Sequence, residues 1–264
     1  VRDDKRMITR ITADMGNLRV SGVTRQIVQR LHASMKSTPY LANRVLALLS
    51  KMFNLATDWG WIEANPCHGI SRFHEDQRER WLQPEELRRL TEALRGYHDQ
   101  NAANALRLLL LTGSRKTEVL SAEWSMFDLA RGLWTKPSSH TKEKKVEHIP
   151  LSAEALALLK QLRTENSGGR FLFPGLGDQP RTTVRAAWVA ICNRAQLPAL
   201  RIHDLRHSYA SYLVSHGVSL HIVGKLLGHT QPQTTQRYAH VANQSLRDAS
   251  NVFGDIFRAA GEHP

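Results

Sequence analysis

Six side chains scattered between positions 115 and 238 are of the types needed to break a phosphate ester: Arg115, Lys142, His203, Arg206, His229 and Tyr238. Such a cleavage needs a nucleophile, stabilisation of charge on the nonbridging oxygens and a proton for the leaving alkoxide. An arginine suits the second task, because its planar fork donates two hydrogen bonds to a phosphate and stays charged throughout. Arg115 follows Gly113 near an expected helix start, where unsatisfied backbone N–H groups favour an anion. His203 and Arg206 are three residues apart, so on a helix both project toward one target. His229 follows Gly228 at an expected helix end and supplies a further donor to the same oxygens. Tyr238 is the candidate nucleophile. Its ordinary pKa near 10 makes it weak at neutral pH, but two arginines and one or two histidines around a bound phosphate favour the phenolate. A mobile lysine on the turn between two short strands would reach the leaving oxygen, and Lys136, Lys142, Lys144 and Lys145 all lie in that stretch. Each residue also has a plainer account: a salt bridge with Glu118 for Arg115, a cap or polar surface position for His203, a helix cap for His229, packing for Tyr238, and a phosphate-contacting loop for the lysines.

The rest of the composition narrows the partner. Lys and Arg total 36 against 24 Asp and Glu, a formal charge of +12, and the pI is near 10.1. A polyanion is the expected partner, with nucleic acid foremost. The excess lies on both sides of residue 75, +5 before it and +7 after it, so both parts have the charge to touch phosphate. With 41% hydrophobic and 23% charged residues the chain reads as a folded globular protein rather than a disordered one. No apolar run approaches the roughly 20 residues of a bilayer span, which argues against a membrane-spanning protein. The first six residues have no signal pattern and no initiator Met, an expectation that the natural start lies upstream. Cys67 and Cys192 are far apart and neither sits in a CxxC pair, which argues against a disulfide scaffold or a cysteine zinc site and fits a reducing cytoplasm. Neither a two-metal carboxylate cluster nor a GxxxxGK[ST] loop is evident, so no metal or cofactor is expected.

These residues need elements to position them. Thr38, Pro39 and the apolar positions Leu41, Val45, Leu48, Leu49, Met52, Phe53 and Ala56 predict a helix to about Gly60, and Thr24 to Met35 predicts another, so residues 1 to 70 read as a small helical unit. The stretch from Asn65 to Arg80 turns charged and reads as a linker. Pro84 then opens a helix, Ala102 to Thr112 forms an apolar one stopped by Gly113, and the next carries Arg115 in its first turn. Residues 132 to 135 and 146 to 151 predict two short strands joined by the lysine-rich turn. Helices are expected again over residues 153–162, 182–195, 203–215, 220–227, 234–239 and 245–259.

Taken together, Thr112 to Glu118, the Lys142 turn, the run His203 to His207, and Leu227-Gly228-His229 followed by Tyr238-Ala239-His240 resemble the catalytic domain of the tyrosine recombinases, the phage-integrase family. The resemblance covers roughly residues 80 to 245. It implies a mainly α protein with a small antiparallel β-sheet, built as a two-domain DNA clamp. A helical core-binding domain would occupy residues 1–75 and an α+β catalytic domain residues 76–264, ending in an interaction helix at 245–264. It also implies the catalytic set Arg115, Lys142, His203, Arg206, His229 and Tyr238, with Tyr238 as nucleophile. Counting back from Ile149-Pro150-Leu151 selects Lys142 as the acid; His203 would assist proton movement at the nucleophile, and His207 would support local structure. The implied activity is site-specific DNA recombination through a covalent 3′-phosphotyrosine and a Holliday junction, in integration or excision of a mobile element or prophage. The implied partner is double-stranded DNA in a bacterial or phage-encoded setting, with a homotetramer on DNA exchanging C-terminal helices. Val252, Phe253, Ile256 and Phe257 form the apolar stripe suited to that exchange. A type IB topoisomerase and a noncatalytic DNA-binding protein are the competing expectations.

Overall fold

The computed structural model describes residues 2–76, 78–141, 145–165, 168–177 and 179–242. The chain divides into two compact units, Val1–Arg78 and Glu79–Pro264. The first contains helices α1 (Arg2–Met15), α2 (Arg25–Ser34) and α3 (Pro39–Asp58). Pro39 occupies the first turn of α3, where its missing N–H costs no hydrogen bond. The apolar positions of the three helices meet in one core that includes Met7, Ile11, Val28, Leu31, Val45, Leu46 and Leu49. Asn43 of α3 anchors the chain that follows it: its amide donates to the Phe73 carbonyl at 2.8 Å, and the Phe73 N–H donates back to its side-chain oxygen at 2.9 Å.

The second unit begins with α4 (Pro84–Arg95), where the Glu86 carboxylate accepts from the Gln83 N–H at 2.9 Å and caps the first turn. Next come α5 (Gln100–Thr112) and the short α6 (Lys116–Leu120). Gly113 ends α5 in the left-handed conformation, φ 61°, a geometry that favours glycine. Arg115 stands just before α6 as its N-cap rather than inside its first turn, because the bend at Gly113 takes three residues to complete.

Strands β1 (Phe127–Asp128), β2 (Leu133–Lys136) and β3 (Glu147–Pro150) form an antiparallel sheet in that order. Three strands replace the two expected; β1 is two residues long and leaves no alternation to read. In the β2–β3 register Trp134 faces Ile149 and Lys136 faces Glu147. Side chains alternate across a strand, so Lys136 shares the buried face of Trp134.

Among the described residues five further helices follow: α7 (Ala153–Glu165), α8 (Arg185–Arg194), α9 (Ile202–Ser215), α10 (Leu220–Leu227) and α11 (Pro232–Gln236). The helix expected over 234–239 is shorter and shifted, since Pro232 opens it and a 3₁₀ turn over Ala239–Ala242 follows; Tyr238 lies between the two. The main core gathers Leu106 and Leu108 of α5, Trp134 and Ile149 of the sheet, Leu159 of α7, Ile191 of α8 and Leu205 of α9. At about 1.5–3 kcal/mol for each fully buried large side chain, this core holds α5, the sheet and α9 in fixed relation. A smaller cluster joins Ala210 and Val214 of α9, Val223 and Leu227 of α10, and Tyr238. Lys142 and the C-terminal stripe from Val252 to Phe257 lie outside the described residues.

Candidate active site

Arg206 projects from the first turns of α9 into the meeting point of two helix ends. Its guanidinium donates to the Gly113 carbonyl that closes α5 at 2.8 Å, and to the Leu227 carbonyl that ends α10 at 2.6 Å. It is 4% exposed. Burial pulls its pKa down to about 10, with Arg115 nearby acting in the same direction, so it is still a cation at neutral pH.

Arg115 is held by Glu118, one turn into α6. Its Nη1 donates to the Glu118 carboxylate at 2.8 Å and its backbone N–H at 3.1 Å. The salt bridge offered as the plainer account of Arg115 is thus present, but it sits in the site with a Glu118 side chain only 2% exposed. A third donor reaches the same carboxylate: Lys136 Nζ at 2.7 Å, which also donates to Ser114 Oγ at 3.0 Å. Burial alone would raise the Glu118 pKa, yet Lys136 and Arg115 together hold it below the ordinary carboxylate value. Lys136 is therefore fixed inside the fold and is not a lysine on a free turn; its strand alternation with Trp134 turns it inward. Lys145, another alternative for the acid, is exposed.

His229 follows Gly228, which ends α10 in the left-handed conformation at φ 65°. Its Nδ1 lies 2.8 Å from Thr235 Oγ1 of α11, which orients the ring. Arg115, His203, Arg206 and His229 line one cleft of about 490 Å³, together with Thr230, Gln231 and Thr234. Four of the six candidates thus converge. Tyr238 does not line this cleft: it is 4% exposed, in the cluster between α9 and α10.

The Tyr238 hydroxyl lies 2.8 Å from Nδ1 of His207, whose ring meets that of His203 edge to face at 4.8 Å. The chain from cleft to phenol is therefore His203, His207, Tyr238. Burial raises the Tyr238 pKa, and Arg237 and Arg206 oppose it without reversing it. The phenol is therefore neutral in the free protein, because desolvation outweighs the cations. Burial, with Arg237 and then His203 adding to it, pushes His207 down to about 3; burial and Arg206 push His229 down to about 4. His203 is also lowered, first by burial. All three rings are neutral at pH 7, so the His207 Nδ1 is free to accept a hydrogen bond from the phenol in the tautomer that carries hydrogen on Nε2.

A model of the phage integrase family matches residues 80–245. The chain belongs to the phage integrase family. The match includes all six candidates and runs from just before α4 to just past the 3₁₀ turn at Ala239–Ala242. Among the family's relatives, the integrase of Salmonella phage P22 is 26% identical over 212 residues, covering 76% of this chain and 53% of the phage protein. The tyrosine recombinase XerD of Pseudomonas aeruginosa is 33% identical over 154 residues, covering 54% of this chain and 50% of XerD. The chain thus spans about half the length of these curated relatives. A solved lambda integrase dimer bound to a COC′ core site is similar at a TM-score of 0.72 and 18% identity, covering 89% of this chain and 86% of that one. The Tn1549 transposon integrase in complex with transposon right end DNA gives 0.77 at 16% identity, covering 94% and 92%. The fold, mostly helical with a small antiparallel sheet, is that of these integrases.

Three features of this integrase-family site escaped the sequence reading. The inward turn of Lys136 was encoded in its alternation with Trp134. Glu147 faces Lys136 across the sheet, and its Oε2 lies 3.9 Å from Nζ. The contact between His207 and Tyr238 joins positions 31 apart and left no local signal.

Proposed function

We propose that this protein cuts and rejoins double-stranded DNA at a specific site through a covalent 3′-phosphotyrosine. The observation that carries the reading is the convergence of Arg115, His203, Arg206 and His229 on one cleft, with the Tyr238 hydroxyl reached through His207. The scissile phosphate occupies the cleft, where the two guanidiniums and the His229 ring take its nonbridging oxygens as charge builds in the transition state. His203 assists removal of the phenol proton, and His207, hydrogen-bonded to the phenol, holds it in place. The Tyr238 oxygen then bonds to phosphorus and the 5′ oxygen leaves, taking its proton from Lys142. The ester bond is exchanged rather than spent, so a 5′ hydroxyl from a second strand can reverse the step and free Tyr238. On this reading the Val1–Arg78 unit is the DNA-binding partner of the catalytic unit in a clamp. Dimers and tetramers on DNA, as in the similar lambda integrase structures, assemble by exchange of residues 245–264, and the biological task is integration or excision of a mobile element or prophage.

The test is a nicked duplex spanning the genomic junctions that flank the gene, with the linked residue mapped by mass spectrometry. The wild-type chain forms an adduct at Tyr238; Tyr238→Phe binds the duplex with similar affinity and forms none, a loss of at least ~10⁴-fold in cleavage. An adduct in the Phe variant removes Tyr238 from its role. Relaxation of a supercoiled plasmid bearing no such junction replaces recombination with topoisomerase activity.

A further inference from the structure

We propose that Lys136 is a positioning residue for Arg115, acting through Glu118; this rests on the reading of Arg115 as a phosphate clamp. The geometry is that of two cations sharing one buried carboxylate. Glu118 takes Arg115 on one oxygen and Lys136 on the other, and Lys136 is fixed in turn by Ser114 Oγ, by the face of the Trp134 ring 4.4 Å below it, and by its place in β2. Its side chain is 3% exposed, so it does not meet DNA itself.

The consequence follows from charge. Among the described residues around the cleft are the cations Arg115, Arg206, Arg237 and Lys136 and the carboxylates Glu118 and Glu147. Without Lys136, Arg115 is the cation left hydrogen-bonded to Glu118 among the described residues, and the carboxylate, short of its second partner, draws it away from the cleft. With Lys136 in place Glu118 is already satisfied, and the Arg115 fork keeps donors for a phosphate. Glu147 sharpens the need, because its Oε2 is buried without a hydrogen bond and Lys136 Nζ lies 3.9 Å from it. Lys136 thus belongs to the support of the phosphate clamp, whereas protonation of the leaving group falls to a lysine on the turn.

Three chains separate this role from simple packing: Lys136→Met, Glu118→Gln, and the double variant, which lacks both members of the inner ion pair. Cleavage is measured in single turnover at saturating protein on the nicked junction duplex, with affinity by gel shift. Lys136→Met is expected to cut about 10- to 100-fold more slowly, the cost of losing an outer partner of a site residue, at an affinity within about threefold of wild type. Adding Glu118→Gln restores at least about tenfold of that loss. A Lys136→Met chain that cuts at the wild-type rate, or a double variant that folds and cuts no faster than Lys136→Met, overturns the proposal. If Lys136→Met does not fold, the double variant decides alone: cutting within about tenfold of wild type supports the role, and slower cutting defeats it. A readout independent of DNA chemistry keeps the two readings apart. The Nε–H resonance of Arg115 in NMR shifts in Lys136→Met and moves back in the double variant, and an unchanged resonance overturns the positioning role even where no wild-type adduct forms. A wild-type chain with no adduct at Tyr238 rejects the recombinase reading instead.

Discussion

His207 and His229 enter the folded state uncharged, with pKa values pushed to about 3 and about 4 by burial and neighbouring cations, whereas in the unfolded chain each titrates near 6.5. The unfolded state therefore binds protons that the folded state refuses, and stability falls as pH drops from about 6.5 toward 4, with no contribution from these groups above 6.5. Glu118, held below its ordinary value, stays charged through that window, whereas burial raises Glu147, whose folded form takes up its proton at higher pH than the unfolded chain and so works against the histidines. The midpoint of thermal unfolding is expected to fall between pH 7.5 and pH 5 by several degrees, at roughly 1–2 kcal/mol per histidine and about 2–4 °C per kcal/mol. Replacing both histidines by glutamine flattens that dependence; an equally steep curve in the double variant refutes the assignment. At this scale the sequence revealed residue types better than contacts. Arg206 and His203 declared themselves by helical spacing; the inward turn of Lys136 lay unread in its alternation with Trp134, and the His207–Tyr238 contact depends on how α9 and the turn after α11 pack, which no local pattern records.

The elements around the site meet at their ends, and two left-handed glycines make the meeting possible. A Cβ on Gly228 would lie 2.3 Å from the Glu147 carboxylate, and one on Gly113 would lie 2.4 Å from the Tyr209 ring. Gly228→Ala is expected to cost about 1–3 kcal/mol, from the left-handed backbone and from overpacking against β3, and to slow cleavage by displacing His229. Thermal unfolding and single-turnover cutting check both parts; a companion Glu147→Ala should recover the steric share and leave the backbone share. Element ends were also the most legible part of the fold. Pro39, Pro84, Gly113 and Gly228 each mark a boundary within a residue or two, because each has one backbone reason to stand there. The misses have physical causes too: β1 has too few residues to show a period, and the 3₁₀ turn after α11 has no apolar stripe to separate it from the helix.

At the scale of the whole chain, the division falls at Arg78. Asn43 holds the backbone at Phe73, the Tyr40 hydroxyl donates to the Asp76 carbonyl, and in the second unit the Leu82 N–H donates to Ser208 Oγ at 2.8 Å. Brief trypsin treatment is expected to cut first at Arg78 or Arg80, giving two resistant fragments; primary cuts inside α3 or α5 would contradict the division at Arg78. The change to charged composition near residue 75 announced this boundary in the sequence, but not the network at Asn43 that places it. One further consequence belongs to this scale. Arg206 ties off the carbonyl ends of α5 and α10, so the guanidinium proposed to clamp the phosphate also closes two helices of the scaffold. Discarding it loosens the architecture along with the chemistry, whereas exchanging the Tyr238 phenol for a benzene ring removes one hydroxyl from a largely apolar cluster. On the proposed function, gene copies drifting toward silence should lose the tyrosine first, leaving well-folded proteins that still bind DNA without cutting it.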